Sequence, residues 1–263
     1  MYKLSIGAIA KNEHFGLEEW VNYHRVVGVE HFYIYDNDSS IPISKVLEKY
    51  ISAGIVTLIE FHGPSKQMPA YNHCLNSFGI ENEWIAFIDC DEFLLPKQTD
   101  YVPDILDKFT NYGSLQVNWL VFGSNGHIAR PSGLVMEDYT KSSEPGYHEN
   151  LHTKAIVQPK YTLSAGMNPH YFNFKNGKFA VSEKFERVPN AWSAKHSAEL
   201  IQINHYTCKS LEDFQMKINK GRADAAHLPT RKIDDIKDID KYCNLDNYEI
   251  LRFVDRTKNM YLV

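Results

Sequence analysis

Through the first hundred residues, strand-length apolar runs alternate with longer stretches whose apolar positions recur every three or four residues. Tyr2 to Ala10 reads as a strand. Leu17, Trp20, Val21, His24 and Val27 then follow helical spacing, and Gly28 stops that helix. His31 to Tyr35 is a second strand, ending at Asp36-Asn37-Asp38-Ser39-Ser40. A helix is expected from about Pro42 to Ala53, with Ile43, Val46, Leu47 and Tyr50 on its inner face. Ile55 to Phe61 is a third strand, Pro69 to Phe78 a helix, and Trp84 to Ile88 a fourth strand. Such β-α repetition predicts an α/β fold, Rossmann-like, with a mixed, mainly parallel central sheet flanked by helices.

Beyond Leu95 the rhythm changes. Val102, Ile105, Leu106 and Phe109 give one more helix, and Ser114 to Phe122 a strand that runs into Gly123-Ser124-Asn125-Gly126-His127. The chain is then rich in Gly, Pro, Asn and His to about Asn190. Short strands are expected at Lys154 to Gln158, Tyr171 to Phe174 and Phe179 to Val181. Leu200 to Asn204 forms another, leading to His205-Tyr206. Ser210-Leu-Glu-Asp213 has the form of a capping box and opens a helix that ends at Gly221. From Arg222 the tail is densely charged and reads as a flexible or helical arm, since charge runs are usually solvated.

Composition narrows the function classes. The 263 residues are 43% hydrophobic and 23% charged, as in an ordinary soluble domain with a sizeable core. A net charge of −5 gives no basic footprint for nucleic acid. Cys74, Cys90, Cys208 and Cys243 lack metal-binding spacing and read as reduced thiols. Leu4 to Ala10 reads as a first strand rather than a signal peptide, and no apolar stretch reaches the ~18 residues of a membrane span. The expected location is cytoplasmic, or peripheral at the inner face of a membrane.

The chemistry concentrates where Trp84-Ile-Ala-Phe-Ile88 runs into Asp89-Cys90-Asp91. Two carboxylates ending a buried strand are costly unless a cation or donors neutralise them. Residues i and i+2 of a strand share a face about 6.6 Å apart, so Asp89 and Asp91 can address one divalent ion and the phosphates it carries. Ligands of parallel sheets sit at the carboxyl ends of the strands. Lys11-Asn12-Glu13, Asp36-Asn37-Asp38, the His62 to Gln67 loop and Asp89-Cys90-Asp91 all lie there. Asp36 can serve a site or cap its turn, and the two readings are compatible. Lys66 and Gln67 are loop candidates of the same edge. His205 is either a hydrogen-bonded core histidine or a ligand, with His170 as the second choice for that role.

The opening strand ending in Lys11-Asn12-Glu13, the helix carrying Glu18-Glu19-Trp20 and His24, and His31-Phe-Tyr-Ile-Tyr-Asp-Asn37 resemble the GT-A glycosyltransferases. The closer similarity is to glycosyltransferase family 92 and bacterial relatives of family-2 type. Trp84 to Pro96, Trp119 to Gly126, and Asn204-His-Tyr with Lys209-Ser210 carry it further. The resemblance implies a nucleotide-sugar donor with UDP as the default, a carbohydrate or glycolipid acceptor, Mn²⁺ or Mg²⁺, and inversion at the anomeric carbon. Asp91 would then be a metal ligand, Asp89 a metal or donor-sugar ligand, and His205 would complete the metal site. Ala10, Lys11, Asn12, Glu13, Asp36, Asn37, Lys66, Gln67 and Cys90 would border the nucleotide sugar. The chain divides into a transferase domain over 1–221, with a nucleotide-binding half (1–96) and an acceptor-side half (97–221), and a charged extension over 222–263. Bacterial surface polysaccharide assembly is the expected setting.

An inverting transferase needs a base for the acceptor hydroxyl, and Glu137 and Asp138 are the candidates, with Glu149 near His148 and His152 as an alternative. Trp119, Phe122 and Tyr147 can stack on a sugar or pack in the core. Two other readings stay open. A haloacid-dehalogenase-like phosphatase also uses D-x-D after a strand, but on its first strand and without Phe at the Phe93 position. A nucleotide- or sugar-binding module without turnover is the non-enzymatic alternative.

Overall fold

The computed structural model describes residues 1–175 and 177–261. β1 (Tyr2–Ala10), β2 (His31–Asp36), β3 (Val56–Glu60) and β4 (Asn82–Phe87) are all parallel, side by side in the order β3-β2-β1-β4. Leu4, Ile6, Ala8 and Ala10 of β1 enter the larger core on one face, and Ile9 enters a second core on the other. A strand buried on both faces reads as a nearly continuous apolar run, as β1 does. The helix α1 (Leu17–Val26) lies against the first face through Leu17, Trp20 and Val21, and α2 (Gln67–Phe78) covers the second through Ala70, Tyr71 and Cys74. Gly28, at φ 102°, turns the chain after α1 in a conformation that a side chain would strain. All four cysteines are free and buried.

The sheet continues β4-β7-β6-β8-β5, built from β5 (Glu92–Pro96), β6 (Ser114–Val121), β7 (Thr153–Val157) and β8 (Ile201–His205). β7 is antiparallel to both β4 and β6, and β5 is antiparallel to β8. The antiparallel strands therefore begin at the edge where the parallel ones end. Glu92 and Lys154 are delivered to that edge by this topology. The capping box holds: Ser210 Oγ accepts from Asp213 N at 3.1 Å and opens α3 (Leu211–Lys220), which closes over the same edge.

The structure departs from the expected elements in two places. The single helix from Pro42 to Ala53 is two short ones, Ile43–Val46 and Glu48–Ser52, because Leu47 (φ −109°, ψ 21°) leaves the helical region. Ile43, Leu47 and Tyr50 nevertheless stay buried. The residues of the charged tail pack inward instead of standing off as an arm. A helix over Asp235–Tyr242 buries Ile236 and Ile239 against Cys208 and Phe214, and Cys243–Asp246 pairs with Lys141–Ser143. Ile250, Phe253 and Val254 join the main core. No helix among the described residues is long and apolar enough to cross a membrane.

Glu19 of α1 is buried, and its carboxylate accepts from Val135 N at 2.7 Å and Met136 N at 3.0 Å. Burial, opposed by those two donors, pushes its pKa up from 4.5 to about 7. A carboxyl whose folded pKa is raised contributes stability in full below its unfolded pKa, and loses it as pH rises through the folded value. We expect wild type to lose unfolding free energy relative to Glu19→Gln as pH rises from about 4.5 to about 7. Urea unfolding at both ends of that window measures it, and parallel pH profiles would refute it.

Candidate active site

A cavity of about 770 Å³ opens at the carboxyl edge of the parallel strands, with α3 as its far wall. Each of the four polar clusters expected on that edge contributes to its lining: Lys11 and Glu13, Asn37 and Asp38, Gly63, Pro64 and Gln67, and Asp89 to Asp91. The loops are stitched to one another. Asn37 Nδ2 donates to the carbonyls of Phe61 and Gly63, both at 2.8 Å, and Asp38 accepts from Gly63 N at 2.9 Å.

The Asp89-Cys90-Asp91 turn forms the floor. Asp89 Oδ1 accepts from Gln67 Nε2 at 2.8 Å, and Oδ2 from Lys154 Nζ at 2.7 Å. Lys154 is completely buried, with Glu92 Oε2 3.6 Å from the same ammonium. Although burial works against it, the Asp89 and Glu92 carboxyls hold the Lys154 pKa above its ordinary value. Full burial pushes the Glu92 carboxyl well up; its Oε2 accepts from Asp89 N at 2.9 Å and its Oε1 has no partner among the described residues. Asp91 Oδ2 lies 2.6 Å from Lys217 Nζ and 3.7 Å from His205 Nε2. Burial would raise the Asp91 pKa, but Lys217 and His205 outweigh it and hold the carboxyl well below the usual range. Burial, partly offset by Asp91, lowers the His205 pKa, so its imidazole is neutral. His205 Nδ1 has no partner among the described residues, and its ring rests 4.2 Å from that of Trp119. Glu13 pairs with Lys220 of α3.

Of the residues expected here from the sequence, Ala10, Lys11, Glu13, Asn37, Gln67, Asp89, Cys90, Asp91 and His205 line the cavity, as does His170. Others do not. Asp36 spends both oxygens on its own turn, accepting from Ser39 N at 3.0 Å and Ile43 N at 3.1 Å, so the capping reading holds. Asn12 faces the neighbouring loop, where its Oδ1 accepts from Ser40 N at 2.8 Å. Lys66 lies over the Phe61 ring. Glu137 accepts from Lys258 at 2.7 Å, and Asp138 lines a separate cavity of about 200 Å³ with Glu19 and Arg130. Neither reaches the floor, because the short helix that carries them is tied to α1 through Glu19. Glu149 pairs with His148 and His152 and also stays off the cavity. Phe122 is core, and Tyr147 stacks on Tyr242. Trp119 alone of the expected aromatics reaches the wall.

Glu92, Lys154, Lys217 and Lys220 were not read as site residues from the sequence, nor were Arg222, Asp224, Arg231 and Asp235, which line the cavity. Two carried a signal. Glu92 interrupts an apolar run before Phe93-Leu94-Leu95, and Lys154 precedes Ala155-Ile156-Val157 at the start of a strand. A charge inside a buried-strand pattern needs a partner.

Comparison with known proteins bears on identity. The family model described as glycosyltransferase family 92 matches residues 8–241. A glycosyltransferase family 92 protein of Ricinus communis is 30% identical over 225 residues, covering 82% of this chain and 37% of its own. One from Oryza sativa subsp. japonica is 27% identical over 224 residues, covering 83% and 35%. The chain thus spans little more than a third of these relatives. A galactan beta-1,4-galactosyltransferase of Arabidopsis thaliana is 29% identical over 104 residues, 36% of this chain and 21% of that protein. Among solved structures, Staphylococcus aureus TarS in complex with UDP has a TM-score of 0.40 at 14% identity, covering 60% of this chain and 47% of that one. A UDP-glucose pyrophosphorylase complexed with UDP-glucose also scores 0.40, at 13% identity, covering 84% and 98%. With its model matched across most of its length, this chain belongs to glycosyltransferase family 92.

Proposed function

We propose that this chain transfers a sugar from a UDP-sugar donor to a carbohydrate acceptor, with inversion, and that the donor's diphosphate lies over Asp91. The observation that carries the reading is the Asp89–Asp91 turn, facing a cavity walled by the loops that follow the parallel strands. A galactan chain is the first acceptor to try, given the galactan galactosyltransferase among the relatives. Those relatives are plant proteins, and nothing in the reading depends on a bacterial setting.

The donor set fits a divalent ion in part. Asp91 is an ionised carboxylate and His205 a neutral imidazole whose Nε2 is 3.7 Å from it, a pair suited to Mn²⁺ or Mg²⁺. Asp89 suits sugar hydroxyls better than the ion, since the buried Lys154 ammonium 2.7 Å away already neutralises its charge. No group of three or more His, Cys, Asp or Glu side chains among the described residues could hold a metal by itself. Asp91 and His205 would therefore hold the ion together with the donor's phosphates. The bound ion would act as a Lewis acid and template for the leaving diphosphate.

The chain's own residues do the rest. Lys217 and Lys220 bring ammonium groups to the wall beside Asp91, where negative charge grows as the anomeric carbon leaves the diphosphate oxygen. The acceptor hydroxyl oxygen bonds to that carbon, and its proton passes to a base at the cavity. Asp89, oriented by Gln67 and Lys154, is held to receive hydroxyls of the donor sugar. A screen of radiolabelled UDP- and GDP-sugars against galactan and other β-glycans tests the proposal. Transfer from a UDP-sugar is expected; phosphate release from phosphomonoesters without any transfer would move the assignment to the phosphatase reading.

A further inference from the structure

The acceptor has no assigned place in the site, and the wall opposite α3 offers one. Aromatic rings succeed one another there from the floor outward. His205 lies 4.2 Å from Trp119, Trp119 lies 4.7 Å from His152, and His152 lies 3.5 Å from Trp192. Trp119 and His205 line the cavity, while Trp192 is 42% exposed. The outer end is built, not loose. The Trp192 backbone bridges to that of His152, its backbone N–H donates to Asn190 Oδ1 at 2.9 Å, and Ser193 Oγ beside it accepts from the buried Asn118 Nδ2 at 2.7 Å. Packed on one side against His152 and half in water, the Trp192 ring offers an apolar face at little entropic cost of ordering.

His170 adds a polar anchor to the inner end of this strip. Its ring is 5.3 Å from those of both Trp119 and His152, and it lines the cavity. A carbonyl oxygen only accepts, so His170 Nδ1 carries the proton it donates to Thr153 O at 2.9 Å. Nε2 is left with a lone pair. Burial and the Lys154 ammonium lower the His170 pKa to about 3, which keeps that lone pair available at any neutral pH.

We infer that the strip from Trp119 through His152 to Trp192, with His170 Nε2 as a hydroxyl-accepting group, is the acceptor subsite, and that it takes a chain of several pyranose rings. Pyranose rings offer flat C–H faces to aromatic rings and hydroxyls to imidazole nitrogens. A single ring cannot span from the floor to Trp192; a chain can. The inference rests on the transferase reading for its biological sense, but its binding test does not.

Titrating β-1,4-galactohexaose and galactose into wild type, Trp192→Ala and His170→Leu by calorimetry tests it, with UDP titrated in parallel. Hexaose should bind wild type about tenfold or more tightly than galactose, and Trp192→Ala should weaken it about tenfold or more. UDP affinity of Trp192→Ala should be unchanged, as should its circular dichroism spectrum, since Trp192 is partly exposed. Equal hexaose affinity in wild type and Trp192→Ala would overturn the subsite. So would a wild type that binds UDP but no hexaose. Absent UDP binding with the hexaose pattern intact would instead remove the donor reading and leave the saccharide subsite standing.

Discussion

Asp89→Ala is expected to lose about 3 kcal/mol of unfolding free energy, although Asp89 itself is partly exposed. The loss comes from Lys154. Its ammonium has no solvent exposure, and Asp89 at 2.7 Å is its close counter-charge. Removing one partner of a buried pair leaves an uncompensated charge, which costs far more than the pair contributes against an apolar replacement. Glu92, 3.6 Å away, limits the loss because it can ionise in answer. The double variant Asp89→Ala/Lys154→Met should recover most of the stability, since no buried charge is then stranded. Denaturant unfolding of the two variants measures this. A wild-type midpoint for Asp89→Ala would mean that Lys154 is not held as described.

Asp91→Asn should behave in the opposite way, with transfer falling by about a hundredfold or more and little change in stability. Its main partner, Lys217, is 32% exposed and can be solvated when the carboxylate is gone. The chemistry has no such alternative. Of the two carboxylates of the Asp89–Asp91 turn, only Asp91 has an oxygen free of hydrogen-bond donors among the described residues, and it is held ionised by Lys217 and His205. Initial-rate measurements with saturating acceptor, set beside an unfolding curve, separate the two effects. Equal losses of rate in Asp91→Asn and Glu137→Gln would contradict the placement of the site.

How much of this was legible in the sequence follows from what each residue's neighbours are. The parallel half could be read because β1, β2 and β4 are buried on both faces and so appear as unbroken apolar runs. The site edge could be read because carboxyl ends of parallel strands collect polar loops by topology alone. Asp36 had both a turn and a site available, and local backbone donors at Ser39 and Ile43 took it. Glu137 and Asp138 stand out in the sequence only as carboxylates after the Pro131 to Met136 run, a criterion without directional content; the long-range bond from Val135 N to Glu19 decides where they go. The tail misled for a different reason. Ile236, Ile239, Ile250 and Phe253 are spaced for burial, but dense charge between them hides the pattern. Lys217 and Lys220 lie three apart on one helix, an ordinary solvated pair until the fold brings Asp91 and Glu13 against them.

The most direct test of the donor site is a calorimetric titration of UDP into wild type and Asp91→Asn, each with and without Mn²⁺. The account predicts UDP binding to wild type that strengthens with Mn²⁺, weak binding of Mn²⁺ alone, and loss of the metal effect in Asp91→Asn. UDP binding of equal strength in both proteins, or none in wild type under either condition, would contradict it.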